Sequence, residues 1–284
     1  MKSKKVLFLS KLFDLTGLNF IGNKLNKVLY CNNFIRVVNY HATPHNSMDS
    51  FEKHLKHYSK YYKAVNYDDL EKLLQGKLNL HKPGIILSFD DAFVSNYNEA
   101  ADILEKYGFK GWFFIPVNCV ENREQLPCNL HNNENVMDWN QVKDLIKRGH
   151  MVGSHTLSHK RMASNLSIQK IRNEIVNSKK LLEKRINHDV SSFCWVGGEL
   201  ENYNTYAQRI IEQAEYTFSF TTNHKPITQK TNPLMLDRTN IEAIWPMHLL
   251  RFYTTFWMDI KYLPKRRKVH KKLFKDINDE NISI

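Results

Sequence analysis

Short, continuously apolar runs alternate along this sequence with longer segments of amphipathic helical spacing. Residues 84–91 read GIILSFDD and residues 111–117 read GWFFIPV. A strand that is buried on both faces has this pattern, because helices cover both sides of a parallel sheet. Helical periodicity follows at 96–108 and 167–185. The alternation therefore predicts βαβ units and an α/β fold with a parallel sheet.

The number of these runs limits the architecture. Other strand-like runs lie at 34–41, 150–155 and 191–198, and near 216–220 and 234–239. Six to eight parallel strands with intervening helices favour a (β/α) barrel over an open sheet, and 284 residues suffice for such a domain.

Polar side chains stand where several predicted strands end. They are His41, Asp90, Asp91, His155 and, just past a strand, Glu199. Functional residues collect at the carboxyl ends of the strands both in barrels and in open parallel sheets. We therefore expect these side chains to lie on one side of the molecule.

The acid pair that closes the run at 84–91 is ambiguous by itself. Two adjacent carboxylates at the end of a buried strand are unfavourable unless a cation or hydrogen-bond donors compensate them. A structural alternative is that Asp91 caps the helix that begins near residue 96.

A histidine pair in GSHTLSH is also ambiguous until its position is considered. His155 and His159 have a spacing that lets two imidazoles bind one metal, but His41 and His45 repeat that spacing. One aspartate and two histidines at strand ends form a mixed oxygen and nitrogen set, which suits Zn²⁺ or a similar divalent ion. The second carboxylate of the acid pair is then a candidate general base for water.

Two segments in this order, ILSFDDAF and GHMVGSHTLSH, resemble the polysaccharide deacetylase family, also described as the NodB-homology domain and carbohydrate esterase family 4. The resemblance extends through NYHATP, GFKGWFFIPV, MDWNQVKDLIKRGH and SKKLLEKR, and covers roughly residues 34–240. The early YH pair resembles the branch that includes poly-N-acetylglucosamine deacetylases.

The resemblance implies a distorted (β/α) barrel and a metal-dependent hydrolase that removes the N-acetyl group from a sugar of a polysaccharide or glycolipid. Asp91, His155 and His159 correspond to the metal ligands, with Zn²⁺ as the expected ion, and Asp90 corresponds to the base that activates water. His41 is the candidate acid for the departing amine, although a strand-end histidine can also be satisfied by the backbone alone.

The sequence departs from the family pattern at three places. Ala92 stands where the family commonly has glycine. The usual Arg-x-Pro-x-Gly element reads SFCWVGG and lacks its arginine, for which Arg238 in LDRTNI could substitute. The late Leu-x-x-His element is not visible, and His248 in WPMHLL is a weaker candidate than His41 for the general acid.

Two residues near the end of the run at 191–198 are candidates for substrate binding. Trp195 could stack on a sugar face, and packing in the core is its alternative role. Glu199 could contact the substrate, and a solvated loop acid is the alternative.

Two other functional classes stay open. A glycoside hydrolase on a barrel could use Asp90 and Glu199 without a metal. A catalytically degenerate deacetylase-like protein that binds glycan is consistent with the altered SFCWVGG element, although the four expected metal and base residues are retained.

The formal charge of +12 is concentrated at the ends of the chain. Residues 1–39 carry +6 and residues 261–275 carry +8, whereas residues 40–260 carry only +1. A nearly neutral centre and a low arginine content argue against nucleic acid as a partner.

We divide the chain into a basic lead segment at 1–33, a catalytic domain at 34–242, and an aromatic and basic segment at 243–284. Residues 243–275 are expected to contact an anionic membrane surface, with a final helix packed on the barrel as the alternative. Four cysteines without a CxxC spacing, and a start without an export signal, predict a cytoplasmic enzyme, with peripheral association at the inner face of the membrane.

Overall fold

The computed structural model describes residues 3–124, 126, 134–163 and 165–274. The strands are β1 (Ile35–Tyr40), β2 (Lys63–Ala64), β3 (Gly84–Phe89), β4 (Gly111–Ile115), β5 (Met151–Ser154), β6 (Ser192–Cys194), β7 (Phe218–Thr221) and β8 (Leu236–Asn240). The helices are α1 (Lys4–Leu15), α2 (Leu18–Leu29), α3 (Met48–Tyr61), α4 (Tyr67–Leu74), α5 (Ala101–Lys106), α6 (Val117–Asn122), α7 (Trp139–Lys147), α8 (Ile168–Arg172), α9 (Ser178–Ile186), α10 (Thr205–Gln213), α11 (Met247–Tyr253), α12 (Phe256–Lys261) and α13 (Leu263–Leu273).

Within the described residues, seven strands close into a parallel barrel. β1 pairs with β8, and the order continues through β7, β6, β5 and β4 to β3, which pairs back to β1. The short β2 pairs with the first two residues of β3, before the point at which β4 begins its own pairing. The predicted (β/α) barrel of six to eight parallel strands is confirmed.

The core has two layers, because successive side chains of a strand point to opposite faces. The inner layer fills the barrel and includes Val37, Ile86, Phe114, Phe220 and Leu236. The outer layer lies between the strands and the helices and includes Val38, Leu87, Phe113, Phe193 and Leu145. Positions two residues apart share a layer, so the inner series of β1, β3 and β8 continues toward the carboxyl end into buried polar side chains, Asn39, Ser88 and Arg238.

The first two helices pack beside helices from the other end of the chain. α1 lies against α11, and α2 lies against α12. Asp14 forms an ion pair with Arg251, and Ser10 Oγ lies 2.9 Å from His248 Nδ1. His248, the weaker candidate for the general acid, therefore faces α1. Among the described residues, no contact links it to Asp90 or Asp91, which follow β3.

Residues 243–274 pack on the barrel. Their buried side chains include Trp245, Leu249, Leu250, Phe252 and Met258. Most large apolar side chains of this segment therefore lie in the core, and Ile244, Ile260 and Phe274 are the exposed ones among its described residues. The predicted contact of 243–275 with an anionic membrane surface is not supported by this packing. Among the described residues, no helix combines the length and the apolar character needed to cross a membrane.

Candidate metal centre

The end of β3 directs Asp90 and Asp91 differently. The Asp90 N–H donates to Tyr40 O at 3.0 Å, so pairing with β1 continues past Phe89 and the Asp90 side chain stays in the inner series. Asp91 then adopts a left-handed conformation with φ of 75°, and Ala92 follows with φ of 53°. The alanine at this position therefore occupies backbone space that favours glycine, at a cost of about 1 kcal/mol.

The side chains of Asp91, His155 and His159 converge. Asp91 Oδ1 lies 3.0 Å from His159 Nε2 and 3.5 Å from His155 Nε2. One potential ligand atom from each residue lies within 4.8 Å of the other two. Asp91 Oδ1 is buried and accepts no hydrogen bond of ordinary geometry, so its lone pairs are available to a cation.

A backbone carbonyl fixes the orientation of His155. Its Nδ1 lies 3.0 Å from Cys194 O, and because a carbonyl can only accept, Nδ1 carries the proton. Nε2 therefore presents a lone pair on the side of Asp91. Burial, partly offset by the charge of Asp90, lowers the pKa of His155 to about 4, which keeps the imidazole neutral and able to bind a metal.

A tight loop after β5 carries His159 back to the same centre. Thr156 and His159 have positive φ values of 66° and 55°. Glu174 holds this loop, because its carboxylate accepts from Ser158 N–H at 2.8 Å and from Ser158 O–H at 2.6 Å. Glu174 was not among the predicted site residues, and its sequence signal is only an acid on the buried face of a helix.

Arg238 and Asn39 hold the Asp90 carboxylate. Arg238 Nη1 and Nη2 donate to Asp90 Oδ1 and Oδ2 at 2.7 and 2.8 Å, and Asn39 Nδ2 donates to Oδ2 at 2.9 Å. Burial alone would raise the pKa of Asp90, but the charge of Arg238 and its hydrogen bonds outweigh burial and hold that pKa well below its ordinary value. The carboxylate is therefore ionised and held in one orientation.

Cys194 is a further inner residue, in the altered SFCWVGG element. Its Sγ lies 2.9 Å from Arg238 Nη2 and 3.6 Å from Asp90 Oδ1. Asp90, His155 and Cys194 form a second group whose ligand atoms lie within 4.8 Å of one another. Burial raises the pKa of the Cys194 thiol well above its ordinary value, and a protonated thiol is a poor metal ligand, so the group around Asp91 fits a metal better.

His41 follows β1 and is partly buried at the same end of the barrel. The pKa values of Asp90 and Asp91 both lie below their ordinary values despite burial, and the proximity of His41 is among the causes that lower them. The structure thus brings together the strand-end residues His41, Asp90, Asp91 and His155, as the parallel topology predicted.

Trp195 points away from this centre. Because Cys194 faces the inside of the barrel, the next residue faces the helix layer, where Trp195 packs against Phe193 and Tyr203. Its indole N–H donates to Ser219 Oγ at 2.9 Å, and only 1% of the residue is exposed. The prediction that Trp195 stacks on a sugar is therefore wrong, and it is a core residue.

Glu199 lies in a groove at the carboxyl ends of β6, β7 and β8. The groove has a volume of about 490 Å³, and Asn240, Tyr262 and Lys265 also line it. Glu199 is exposed, and its carboxylate accepts from Gly198 N–H at 3.2 Å.

Asn39, Ser88 and Cys194 complete the surroundings of Asp90 and were not predicted. The signal that could have found them is the period of two along a strand, counted from residues that fill the barrel. Asn39 follows Val37 in this series, and Ser88 precedes Asp90.

The sequence of the chain is similar to those of known polysaccharide deacetylases. Residues 77–219, half of the chain, match the sequence model of the family described as polysaccharide deacetylase. The chain is 22% identical over 192 residues to YxkH of Bacillus subtilis, a match that spans 67% of this chain and 63% of that protein. It is 32% identical over 101 residues to the peptidoglycan-N-acetylglucosamine deacetylase of Bacillus cereus, spanning 35% of this chain and 40% of that protein.

The fold is also similar to a solved structure, the Streptococcus pyogenes deacetylase PplD in complex with acetate. The TM-score is 0.64 at 22% identity, and the alignment covers 78% of this chain and 98% of PplD. The chain spans less than two thirds of the length of the curated relatives that it matches.

Proposed function

The chain belongs to the polysaccharide deacetylase family, and we propose that it is a hydrolase that removes the N-acetyl group from a sugar of a polysaccharide or glycolipid. The observation that carries this proposal is the convergence of Asp91, His155 and His159 beside a second, ionised carboxylate, Asp90. The buried Asp91 oxygen without a hydrogen bond and the fixed tautomer of His155 support a divalent cation at these three residues, with Zn²⁺ as the best match to the ligand types.

Asp91, His155 and His159 would hold the cation, which when bound would supply Lewis-acid polarisation of the acetamide carbonyl. Asp90 accepts a proton from the water that attacks the carbonyl carbon, and Arg238 and Asn39 keep its carboxylate directed at that water. The C–N bond of the acetamide then breaks, acetate leaves, and the sugar retains a primary amine.

His41 is the proposed general acid. The departing nitrogen needs a proton, and His41 lies on the same side of the barrel as the acid pair and is partly exposed, so that it can exchange protons with solvent. Glu199, Lys265 and Tyr262, which line the neighbouring groove, are proposed to contact adjoining sugar units.

The test measures metal content and acetate release on chitin oligosaccharides and poly-N-acetylglucosamine. We expect Asp91→Asn and His155→Ala to lose the metal and the activity, and Asp90→Asn to keep the metal while its rate falls by about 10²-fold to 10⁴-fold. His45→Ala is the matched control, because His45 is exposed. Full metal content and full activity in both Asp91→Asn and His155→Ala would show the proposal to be wrong.

The metal-free glycoside hydrolase is less consistent with the site. That mechanism needs one protonated carboxylic acid opposite an ionised one. Asp90 and Glu199 both have pKa values below their ordinary ones, since for each the surrounding charges and hydrogen bonds outweigh burial. Glycosidic cleavage that persists in a chelator would favour this alternative.

A further inference from the structure

The helix pair α1–α2, residues 4–29, exposes an unusual number of large apolar side chains. In the described part of the chain, most of the exposed large apolar residues lie on this pair: Phe8, Leu9, Leu12, Leu15, Phe20, Ile21, Val28 and Leu29. Phe8, Leu15 and Phe20 are each more than 70% exposed. An exposed apolar area of this extent on a protein surface marks an interaction site.

The side of the helix pair that faces the protein carries few of its apolar residues: Val6, Leu7 and Phe13 of α1 pack against the core, and the fully buried positions are small or polar. Ser10, Asn19, Gly22 and Asn26 are the buried residues of the two helices. A Cβ at Gly22 would lie 2.7 Å from the indole nitrogen of Trp257, so that only glycine allows this close approach. The helix pair therefore differs from an ordinary surface helix, whose outer face is polar, because its outer face carries large apolar side chains.

Specific polar contacts hold the helix pair in this orientation. Asp14 pairs with Arg251 through both guanidinium nitrogens Nε and Nη2, and Asn19 Nδ2 donates to Asp14 Oδ1 at 3.2 Å. Trp257 Nε1 donates to Leu18 O at 2.9 Å. The apolar side chains are therefore held outward by the docking of the opposite face.

The charge around this apolar surface is almost entirely positive. Five lysines lie on the two helices, Lys4, Lys5, Lys11, Lys24 and Lys27. The one acid of the pair, Asp14, has its carboxylate bound by Arg251. Two copies meeting through this surface would bring lysines together, whereas the surface of an anionic bilayer would attract them.

We propose that the helix pair α1–α2 docks on the surface of a bilayer that contains anionic phospholipids. The two helices lie in the plane of the interface, with the apolar side chains among the acyl chains and the lysines at the headgroups. This surface lies on a different segment from 243–275, most of whose described large apolar side chains are buried. The interaction does not depend on the proposed deacetylase chemistry.

The test is flotation of the full chain with vesicles of phosphatidylcholine, with and without phosphatidylglycerol. We expect binding that requires phosphatidylglycerol and weakens as salt is raised. The double substitution Phe8→Ser and Phe20→Ser should lower the partition coefficient by about tenfold or more, because two large side chains no longer enter the interface. Replacing Lys4, Lys5 and Lys11 with Gln should also lower it by about tenfold or more.

Matched controls lie at the other end of the chain. Ile244→Ser with Phe274→Ser removes two exposed apolar side chains, and Gln at Arg267, Lys268 and Lys271 removes three exposed charges of α13. Both control proteins should bind as the unaltered chain does, and so should Asp90→Asn, whatever its activity.

Three outcomes would overturn the proposal. One is binding to pure phosphatidylcholine that equals binding to the anionic vesicles. Another is loss of binding in the α13 controls while the Phe8 and Phe20 variant still binds. The third is a dimer that the Phe8 and Phe20 substitutions dissociate, with no vesicle binding by the unaltered chain, which would assign the surface to a second copy of the protein. Thermal unfolding of each variant verifies that it is folded.

Discussion

The barrel buries two arginines that have nearly the same contacts and different surroundings. Arg238 makes two hydrogen bonds to Asp90, and Arg36 makes two to Asp259 at 3.0 and 2.7 Å. Arg36 lies next to Val37, a residue of the inner layer, so it faces the helix layer and binds α12, whereas Arg238 faces the inside of the barrel. The face of its strand on which each arginine lies therefore decides its role: Arg36 forms a structural ion pair with a helix, and Arg238 holds the proposed base.

Replacing each arginine with glutamine separates stability from catalysis. Both Arg238→Gln and Arg36→Gln should cost about 3 kcal/mol of unfolding free energy, because each leaves a buried carboxylate without its partner. Only Arg238→Gln should lower kcat, by about 10²-fold, since Asp90 is no longer held. Urea unfolding and the initial rate of acetate release measure the two effects.

The pH profile of the same variants distinguishes positioning from a general structural effect. Arg238 lowers the pKa of Asp90, so its removal raises that pKa, and the base is then ionised only at higher pH. The acid limb of the rate profile should move to higher pH in Arg238→Gln and stay in place in Arg36→Gln. An equal fall in kcat in both variants, with no movement of this limb, would contradict the role given to Arg238.

At the scale of elements, a buried histidine joins α3 to β1 and to the loop before α11. His54 Nε2 lies 2.7 Å from Trp245 O and therefore carries the proton, and Nδ1 accepts from the Tyr40 hydroxyl at 3.1 Å. The Tyr40 and Tyr58 hydroxyls lie 3.0 Å apart. Burial lowers the pKa of His54 to about 4, so α3 is docked through a neutral imidazole.

This histidine makes stability depend on pH. An unfolded histidine binds a proton below pH of about 6.5, whereas folded His54 binds one only near pH 4, so stability is full above the unfolded pKa and falls as the pH drops from 6.5 toward 4. Between pH 7 and pH 5, urea unfolding should show the unaltered protein losing about 2 kcal/mol more than His54→Gln. His188→Gln, at an exposed position, should change this pH dependence little, and an unchanged dependence in His54→Gln would refute the assignment.

Another contact between elements, the ion pair of Asp14 with Arg251, holds α1 against α11. Both side chains are partly exposed, so Asp14→Asn should weaken the docking by only about 1 kcal/mol, equivalent to about fivefold faster amide exchange in residues 4–29. Acetate release should be unchanged. Glu52→Gln, which breaks the exposed pair with Lys106, is the control and should leave exchange in 4–29 as it was. Unchanged exchange in Asp14→Asn would mean that this pair does not hold α1.

At the scale of the molecule, the barrel is narrow, and at some positions only glycine leaves room for the neighbouring strand or side chain. A Cβ at Gly153 would lie 2.6 Å from Phe114 Cε1 and 2.8 Å from the backbone oxygen of Ser192. A Cβ at Gly84, at the opposite end of the barrel, would lie 2.6 Å from Val65 Cγ2, in a side chain. Gly153 is two residues before His155, so strain there moves a proposed metal ligand.

Gly153→Ala and Gly84→Ala test this difference. Each should lower the unfolding free energy by about 1 to 3 kcal/mol through overpacking. Gly153→Ala should in addition weaken metal affinity, because β5 must shift, whereas Gly84→Ala should leave the affinity unchanged. Calorimetric titration with Zn²⁺ measures it, and equal affinities in the two variants would contradict this account.

The sequence predicted the barrel and the meeting of His41, Asp90, Asp91 and His155, because continuous apolar runs mark buried parallel strands and parallel strands end on one side. It predicted less about which face a residue takes. Trp195 was misassigned, since only the register of Cys194 decides that the tryptophan faces the helices. The exposed apolar surface of the helix pair α1–α2 was not predicted either, because the sequence pattern alone does not tell which apolar residues of a helix are exposed.

The pairing of β1 with β8 also has a consequence for synthesis of the chain on the ribosome. Asp91, His155 and His159 are synthesised well before β8. The partner of Asp90, Arg238, is synthesised 148 residues after Asp90 itself. Until β8 has been synthesised, the edges of β1 and β7 that pair with it are unpaired, and the proposed base lacks the arginine that orients it. A chain that terminates before β8 would therefore contain the three proposed metal ligands and lack the arginine that orients the proposed base.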